Sequence, residues 1–521
     1  MTGSRFVVIG GGITGLTAAY RLRERAPRGT EVILLEGSDR LGGHAHTVTD
    51  GGFVVEAGPN GFLSRAAEPE PIALIRDLGL AGSLVEARPA ARRRFVVHGG
   101  RMRRVPDSPP VFFGSDALSP AGKLRLLLEP FARRAPKSEE TVYEFACRRV
   151  GREAAEVLVD TAISGISAGD SRELSVAAAF PLMTEMEREH GSLIRAMIAR
   201  RQPPPRLVSL AGGMGELVAT FAARLSGVAR TGARVKRLER AGDGWQLRLE
   251  DGEALAADGV LLAAPAARAA AMVADLDPEL SRGLAEFPYA GLGVVAMAFR
   301  AADLTVPLDG YGYLVARREG LDTLGVVWDS SLFAGRAPEG MVLVRAMLGG
   351  ARRPEVADLG EDEILRRARA ELKRVLGVTA APARSWVWRW PRAIPQYTRG
   401  HRERVAAVRA RAARHPGLEL CGTSYDGIAF GAGVISAERA VARVLAGAGV
   451  AGAAAAEGGR GGQGADARAV GSAFLASPPS SSAAFAGPSL RPPADPRVHA
   501  LPAAPACGDG VGCEAADGAR A

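Results

Sequence analysis

Three glycines and one acid carry the first chemical signal in the chain. Gly10, Gly12 and Gly15 stand in G-x-G-x-x-G order at the end of the apolar run 6–9, and Glu36 ends a second apolar run, 32–35. Each residue type meets a need of a bound dinucleotide. Gly10 permits a tight strand-to-helix turn, Gly12 lets backbone approach a pyrophosphate, and Gly15 lets the helix pack closely, so the phosphates face the positive end of a helix. Glu36 is spaced to accept hydrogen bonds from both hydroxyls of a ribose. Hydrolytic and metal chemistry have no such footing. None of the seven histidines (44, 46, 98, 190, 401, 415 and 499) sits in a Ser/His/Asp or metal-ligand arrangement. Cys147, Cys421, Cys507 and Cys513 are scattered, and the last pair has no histidine nearby to complete a metal site. The hard chemical step therefore falls to a bound cofactor.

The elements that must place the glycines are a strand over 6–9, a helix on which Leu16, Ala19 and Leu22 recur, and a second strand over 32–35. Composition is ordinary for a globular protein, 47% hydrophobic and 24% charged in 521 residues, enough for two or three domains. The net charge is +9, but only four lysines contribute (Lys123, Lys137, Lys236, Lys373), so the excess is nearly all arginine in an Ala- and Gly-rich chain. A high-GC coding bias gives that pattern, and no basic patch interleaved with aromatics accompanies it. Nucleic acid is accordingly not an expected partner. The first strand begins within five residues of Met1, so its apolar run reads as a nucleotide-binding strand and not a signal peptide. The scattered cysteines suit a reducing cytoplasm. The most apolar long stretch, 260–276, is broken by Pro265 and Arg268, so no membrane span is expected.

Periodicity divides the chain. Residues 1–85 read as the first part of a nucleotide-binding domain, and 86–205 as mainly helical, with helices over 120–134, 141–149 and 153–164. Residues 206–285 return to the nucleotide domain, with VKRLER and WQLRLE alternating around the turn 241–244 and GVLLAAP (259–265) as a buried strand. Residues 286–400 are strand-rich (VVAMAF, YGYLV, LGVVW, VLVRAML), as suits a second domain with its own sheet. Residues 401–447 give a short strand, 418–421, and a helix, 436–445, that complete the first domain; 448–521 read as a disordered low-complexity tail.

Beyond the fingerprint, Arg40-Leu41-Gly42-Gly43 follows the acid as R-x-G-G does in two-dinucleotide-binding flavoproteins, which favours FAD over NAD. Seven further segments stand in one family's order: VVEAGPNGFL (54–63), RRFVVHGGRMRRVP (93–106), ISGISAGDSRELSVAAAFP (163–181), MEREHGSL (186–193), LAGGMGEL (210–217), DGYGYLV (309–315) and WPRAIPQYTRGH (390–401). Over residues 5–447 the chain resembles the oxygen-dependent, FAD-containing protoporphyrinogen oxidases of the flavin amine oxidase superfamily. The fold this implies is α/β: an FAD-binding, Rossmann-like two-dinucleotide-binding domain, an interleaved substrate domain containing a sheet, and a mainly helical segment able to associate with a membrane.

The resemblance places FAD against Gly10, Gly11, Gly12, Ile13, Thr14 and Gly15, against Leu35, Glu36, Arg40, Gly42 and Gly43, and against the loop Gly58, Pro59, Asn60 and Gly61. It adds Val235, Trp390, Gly422, Gly427, Ala429, Phe430 and Gly431. Without it, Trp390 and Val235 would read as a core aromatic and an ordinary strand residue. For the substrate, a tetrapyrrole with an apolar body and carboxylate arms, it points to Arg94 for a propionate, to Tyr311 and Leu314 as a clamp, and to Gly165 for a carbonyl facing the reacting centre. Taken alone, Arg94 is one charge of the run 92–94, and Gly165 reads as a helix C-cap. The implied reaction removes six electrons from protoporphyrinogen IX in three hydride transfers to flavin, with three O2 reduced to three H2O2.

The C-terminal flavin motif departs from the family. Where relatives carry G-V-G followed by an acid, this chain has Gly427-Ile428-Ala429-Phe430-Gly431 and no acid after it, which puts the support of the flavin ring there in question. The closest rival substrate is coproporphyrinogen III, whose extra propionates would need more pocket cations, with Arg92, Arg93 and Arg101 as candidates. An amine oxidase or carotenoid desaturase is opposed by GISAGDSREL; a scaffold that no longer holds FAD is the remaining alternative. The apolar clusters of 111–128 suit either a core-facing helix or peripheral contact with the inner face of the cell membrane, and a homodimer is left open.

Overall fold

The computed structural model describes residues 4–199 and 205–447, with the side chain of Pro109 left aside. The tail expected from 448, with Cys507, Cys513 and His499, lies outside the described residues.

Five parallel strands form the nucleotide-binding sheet, in the order Ala229–Arg230, Glu31–Leu35, Arg5–Ile9, Gly259–Leu262, Leu418–Leu420. Alternation along the central strand builds two cores at once. Phe6 and Val8 face one layer, where the helices Ile13–Arg25, Met214–Arg224 and Phe430–Gly447 pack; Val7 and Ile9 face the other. That second layer holds the antiparallel sheet Val235–Ala241, Gly244–Leu249, Ala254–Ala257, anchored by the buried Trp245. Its first hairpin turns where the sequence expects it, with Ala241 opposite Gly244.

The second large sheet has seven strands, in the order Arg384–Pro395, Tyr289–Arg300, Met341–Gly349, Thr323–Val327, Gly312–Val315, Arg94–His98, Arg101–Arg104. One face is covered by the helix Glu361–Leu376, which lays Ile364, Ala368 and Leu372 on Val295, Met297, Val344 and Ala346. Three acids in its first turn, Lys373 and Arg374 in its last and Gly377 at the left-handed cap complement the helix dipole and end the helix. The sequence reading did not place this helix. The other face of the sheet looks toward the nucleotide-binding layers.

The region 86–205 is not purely helical. Arg94–His98 pairs in parallel with Gly312–Val315, so the stretch opens by completing the large sheet. The helix expected over 120–134 stops at Leu127, and Pro130 lies in a 3-10 turn, Glu129–Phe131, since proline removes a donor and crowds the preceding turn. Val142–Val150 starts on a capping box between Thr141 and Glu144. A continuous helical run follows over 152–167, widened to π geometry at Ala155–Val159. The last helix, expected over 436–445, runs from Phe430 to Gly447. Among the described residues no helix is long and apolar enough to cross a membrane, and no cluster of three His, Cys, Asp or Glu could hold a metal.

Packing of the first helix on its strand is set by Gly15, where a Cβ would collide with the carbonyl oxygen of Gly10. Gly15→Ala should therefore cost at least about 3 kcal/mol, the upper end of overpacking penalties. Thermal unfolding of the apoprotein, together with the visible absorbance of the purified protein, will show loss of both stability and bound cofactor.

Candidate functional site

At the mouth of the parallel sheet the two glycine motifs lie against each other. The Gly42 amide donates to the Gly11 carbonyl at 2.7 Å, and Gly12 and Gly42 form an isolated parallel bridge. Arg40 closes the second motif by donating to the carbonyl of Gly43 at 2.7 Å. Glu36, at the end of the strand holding Leu35, accepts from the Gly11 amide at 2.6 Å and from the amide and hydroxyl of Ser38 at 2.7 and 2.8 Å. The helix of Ile13, Thr14 and Gly15 begins at Gly12 with neither a side-chain cap nor an acid in its first turn, and a Cβ on Gly12 would meet nothing within 4 Å. An open cradle, an uncapped positive helix end and a fixed carboxylate fit a dinucleotide. Val235 is buried in the same core as Leu35, and two residues before it the Ala233 amide donates to the Glu36 carbonyl at 2.9 Å.

Further along, Trp390 comes to this crevice from the edge strand of the large sheet. Its indole donates to the Ala57 carbonyl at 2.8 Å, its ring meets His44 edge-on at 5.0 Å, and the Arg40 guanidinium lies 5.7 Å from the ring. Gly58 abuts the His44 carbonyl, Pro59 is exposed, Asn60 is buried and Gly61 half-buried. The loop 58–61 and the motif 40–43 thus belong to one surface.

What holds that loop is a buried polar bracket that the sequence reading missed. Arg345, in the middle of Met341–Gly349, donates to the carbonyls of Glu56 (3.2 Å) and Gly58, and pairs with Asp329 at 3.1 Å. Asp329 also accepts from the Asn60 amide group at 3.2 Å, while the Asn60 carbonyl takes the Ser209 hydroxyl at 2.7 Å. Arg336 donates to Ser209 at 2.7 Å and stands 3.9 Å from Glu56, whose carboxyl burial pushes above the usual range although Thr47 and the Met214 amide bond to it. The signal was present: an arginine interrupting the apolar strand VLVRAML is out of place unless it is paired.

On the open face of the large sheet, Arg94 and Tyr311 come together, the guanidinium 5.4 Å from the ring centre, and burial lowers the Arg94 pKa. Tyr311 and Leu314 are three residues apart, which regular alternation would send to opposite faces. Gly312 breaks the alternation with φ +132°, a conformation L side chains rarely adopt, and a Cβ there would collide with the Val326 carbonyl. Tyr311 consequently packs with Val327, Phe333 and Met347, Tyr313 turns into the opposite core, and Leu314 lies on Gly165 and opposite Gly325, whose partner on the next strand is Met347. Gly165 is not the helix cap: it sits inside the last turn of Asp160–Ser167, and the left-handed cap is Ala168, with φ +50°. Next to that turn is a small apolar cavity lined by Ile166, Phe180, Tyr397, Gly427 and Ile428. Among the other arginines, Arg93 pairs with Asp309, while Arg92 and Arg101 are exposed.

The altered C-terminal turn is also accounted for. The Gly422 amide donates to the Ser436 hydroxyl at 2.8 Å, Ser436 donates to Asp426 at 2.6 Å, and the Gly427 amide donates to the Tyr397 hydroxyl at 2.6 Å. Ala429 gives its carbonyl to the Gly433 amide, the first such bond of the closing helix. Phe430 turns its ring onto Phe62 at 4.4 Å, and Gly431 packs beside Pro71. Phe430 is thereby partly buried against the core of the nucleotide-binding domain.

The flavin containing amine oxidoreductase family profile matches residues 13–445. Coproporphyrinogen III oxidase of Bacillus subtilis (strain 168) is 30% identical over 448 residues, covering 81% of this chain and 94% of that protein. Protoporphyrinogen oxidase of Homo sapiens is 33% identical over 482 residues, covering 85% and 98%. A crystal structure of a protein from Exiguobacterium sp. 255-15 superposes with a TM-score of 0.75 at 26% identity, covering 85% of this chain and 99% of that one.

Removing one partner of a buried ion pair strands the other, which costs about 3–5 kcal/mol. Asp329→Ala should lose that much in denaturant unfolding and yield protein depleted in flavin, because Arg345 and Asn60 then release the loop 58–61.

Proposed function

Since the chain belongs to the flavin containing amine oxidoreductase family, we propose that it oxidises protoporphyrinogen IX to protoporphyrin IX, with FAD as its resident cofactor. The observation that carries the substrate is the wall of Arg94, Tyr311, Leu314 and Gly165, which one face of the large sheet and one helix end bring together. Bound FAD supplies the hydride acceptor for three two-electron oxidations, and O2, reduced to H2O2 in each, is the terminal acceptor.

The chain's own share is placement. Arg94 offers a guanidinium fork to one propionate, and the aromatic face beneath it keeps that fork oriented. Tyr311 and Leu314 grip the apolar macrocycle. Gly165, lacking a side chain, leaves room for Leu314 to pack on the carbonyl end of the helix, and the negative pole of the dipole there favours the cation that hydride loss creates. Trp390 and the bracketed loop 58–61 line the site of the ring and keep water from it.

Coproporphyrinogen III, the named substrate of the Bacillus relative, is the second reading. The three candidate arginines favour the first: Arg93 is committed to Asp309, and Arg92 and Arg101 are exposed, so none of the three is a buried cation ready for an extra propionate.

The chain works in the cytoplasm, in peripheral contact with the inner face of the membrane. Phe113 (66% exposed), Phe131 (79%) and Ile198 (77%), with Leu124, Leu127 and Leu128, form an apolar surface on the helical region, beside Lys123 and Arg125. Such a patch suits insertion at a lipid interface. Phe113→Ser with Phe131→Ser should reduce flotation with anionic vesicles without changing sedimentation; loss of a dimer instead would assign the patch to a second copy.

Anaerobic mixing with protoporphyrinogen IX and with coproporphyrinogen III, side by side, tests the reaction directly. The flavin should bleach faster with the former. Arg94→Ala should lower kcat/KM by about 10- to 100-fold, the worth of one charge-assisted hydrogen bond, mostly through KM. An unchanged KM and turnover would overturn the carboxylate assignment.

A further inference from the structure

Tyr397 joins the C-terminal turn to the helices on the substrate side. Its hydroxyl accepts from the Gly427 amide at 2.6 Å and donates to the Thr423 carbonyl at 2.6 Å, closing the two ends of the C-terminal turn. Its own carbonyl accepts from the Ser175 amide at 2.8 Å, where the substrate-side helices resume after GDSREL. Its ring lines the cavity shared by Ile166, Phe180 and Ile428, and its other side stacks on His401 at 3.8 Å with an interplanar angle of 17°.

We infer that Tyr397 is the positioning residue that fixes the turn 422–427 for the flavin ring. The inference rests on the FAD-dependent reading above. Two hydroxyls hold backbone amides of the turn, Ser436 on Gly422 and Tyr397 on Gly427, while Tyr289 and Arg409 hold the side chains of Ser424 and Asp426. Both glycines have strongly positive φ, +121° and +122°, so their orientation is set by what holds the amides and not by side chains. Burial raises the Tyr397 pKa, which keeps the phenol protonated and able to bridge donor and acceptor at any working pH. Without it, the Gly427 amide and the Thr423 carbonyl are left unpaired in an apolar surrounding. The turn then reorients.

His401 separates this role from simple packing. Among the described residues neither of its ring nitrogens has a hydrogen-bond partner, and burial holds its pKa down to about 3, so it serves as a flat neutral surface behind the tyrosine. His401→Phe preserves that surface, whereas Tyr397→Phe removes only the bridging oxygen.

The test reconstitutes the full-length apoproteins with FAD and reads the dissociation constant, the visible flavin spectrum, and kcat and KM. Tyr397→Phe should weaken FAD by roughly tenfold, the worth of one buried hydrogen bond and its stranded partners. Its flavin band should lose fine structure, and kcat should fall with KM for the porphyrinogen within about twofold. Ser436→Ala should shift the flavin spectrum in the same sense, and His401→Phe should match the wild type. A Tyr397→Phe protein with wild-type affinity and spectrum overturns the inference, as does a His401→Phe protein impaired to the same degree. Should Tyr397→Phe not fold, an unchanged spectrum in Ser436→Ala refutes the anchored turn. Failure of the wild-type protein to take up FAD would instead overturn the cofactor reading.

Discussion

The buried pair of Arg345 and Asp329 is the constraint on which the remainder of the site depends. Arg345 belongs to the large sheet, the carbonyls it holds belong to the loop after Phe53–Glu56, and Asp329 reaches Asn60 in that same loop. Two architectures that share no strand are thereby joined beside the glycine cradle and Trp390. Ion pairs inside proteins are poor sources of net stability, because desolvation offsets their attraction. They are good sources of geometry. A guanidinium with fixed donors accepts few arrangements of its partners, and an apolar contact in its place would let the loop slide.

From that junction outward the chain sets its groups through backbone more than through side chains. Arg94 is held relative to Tyr311 by the bond of the Tyr311 amide to the Arg93 carbonyl, just before the strands Arg94–His98 and Gly312–Val315 pair, and Tyr311 relative to Leu314 by one residue of abnormal φ. The same economy appears at Gly165, where an absent side chain lets Leu314 pack directly on a helix. Long, mobile side chains carry little of the site's shape, so a large apolar substrate meets walls that are already in place. Preorganisation of this kind lowers the entropy lost on binding.

The fingerprint was fully legible in the sequence because its determinants are local: strand, turn, helix and acid within forty residues. The hairpin at 241–244 and the buried strand at 259 were legible for the same reason. The bracket was not, because Glu56, Ser209, Asp329 and Arg345 are separated by more than a hundred residues at each of the first two steps, and pairing across such distances leaves no periodic trace. Only the single arginine in VLVRAML marked it. The placement of 94–104 in the large sheet was hidden likewise, since its partner 312–315 lies some two hundred residues on. Helix 361–376 was a different kind of omission: its acidic start, basic end and apolar stripe are all local signals. Phe430 looked like an obstacle to the cofactor until Phe62, distant in sequence, supplied its place in the core.

The strand order of the parallel sheet has a consequence for how the protein is made. Its central strand, Arg5–Ile9, needs Gly259–Leu262 on one side, and that strand in turn needs Leu418–Leu420. At about 5–20 residues per second, translation leaves the first strand without this neighbour for on the order of ten seconds or more, and without the completed sheet for longer. During that interval an apolar strand edge is open to wrong partners, the usual hazard of sheets built from distant segments. Cofactor capture is therefore a late event in biogenesis. A nascent chain that ends before Leu418 has the whole glycine fingerprint and still cannot close the sheet that presents it.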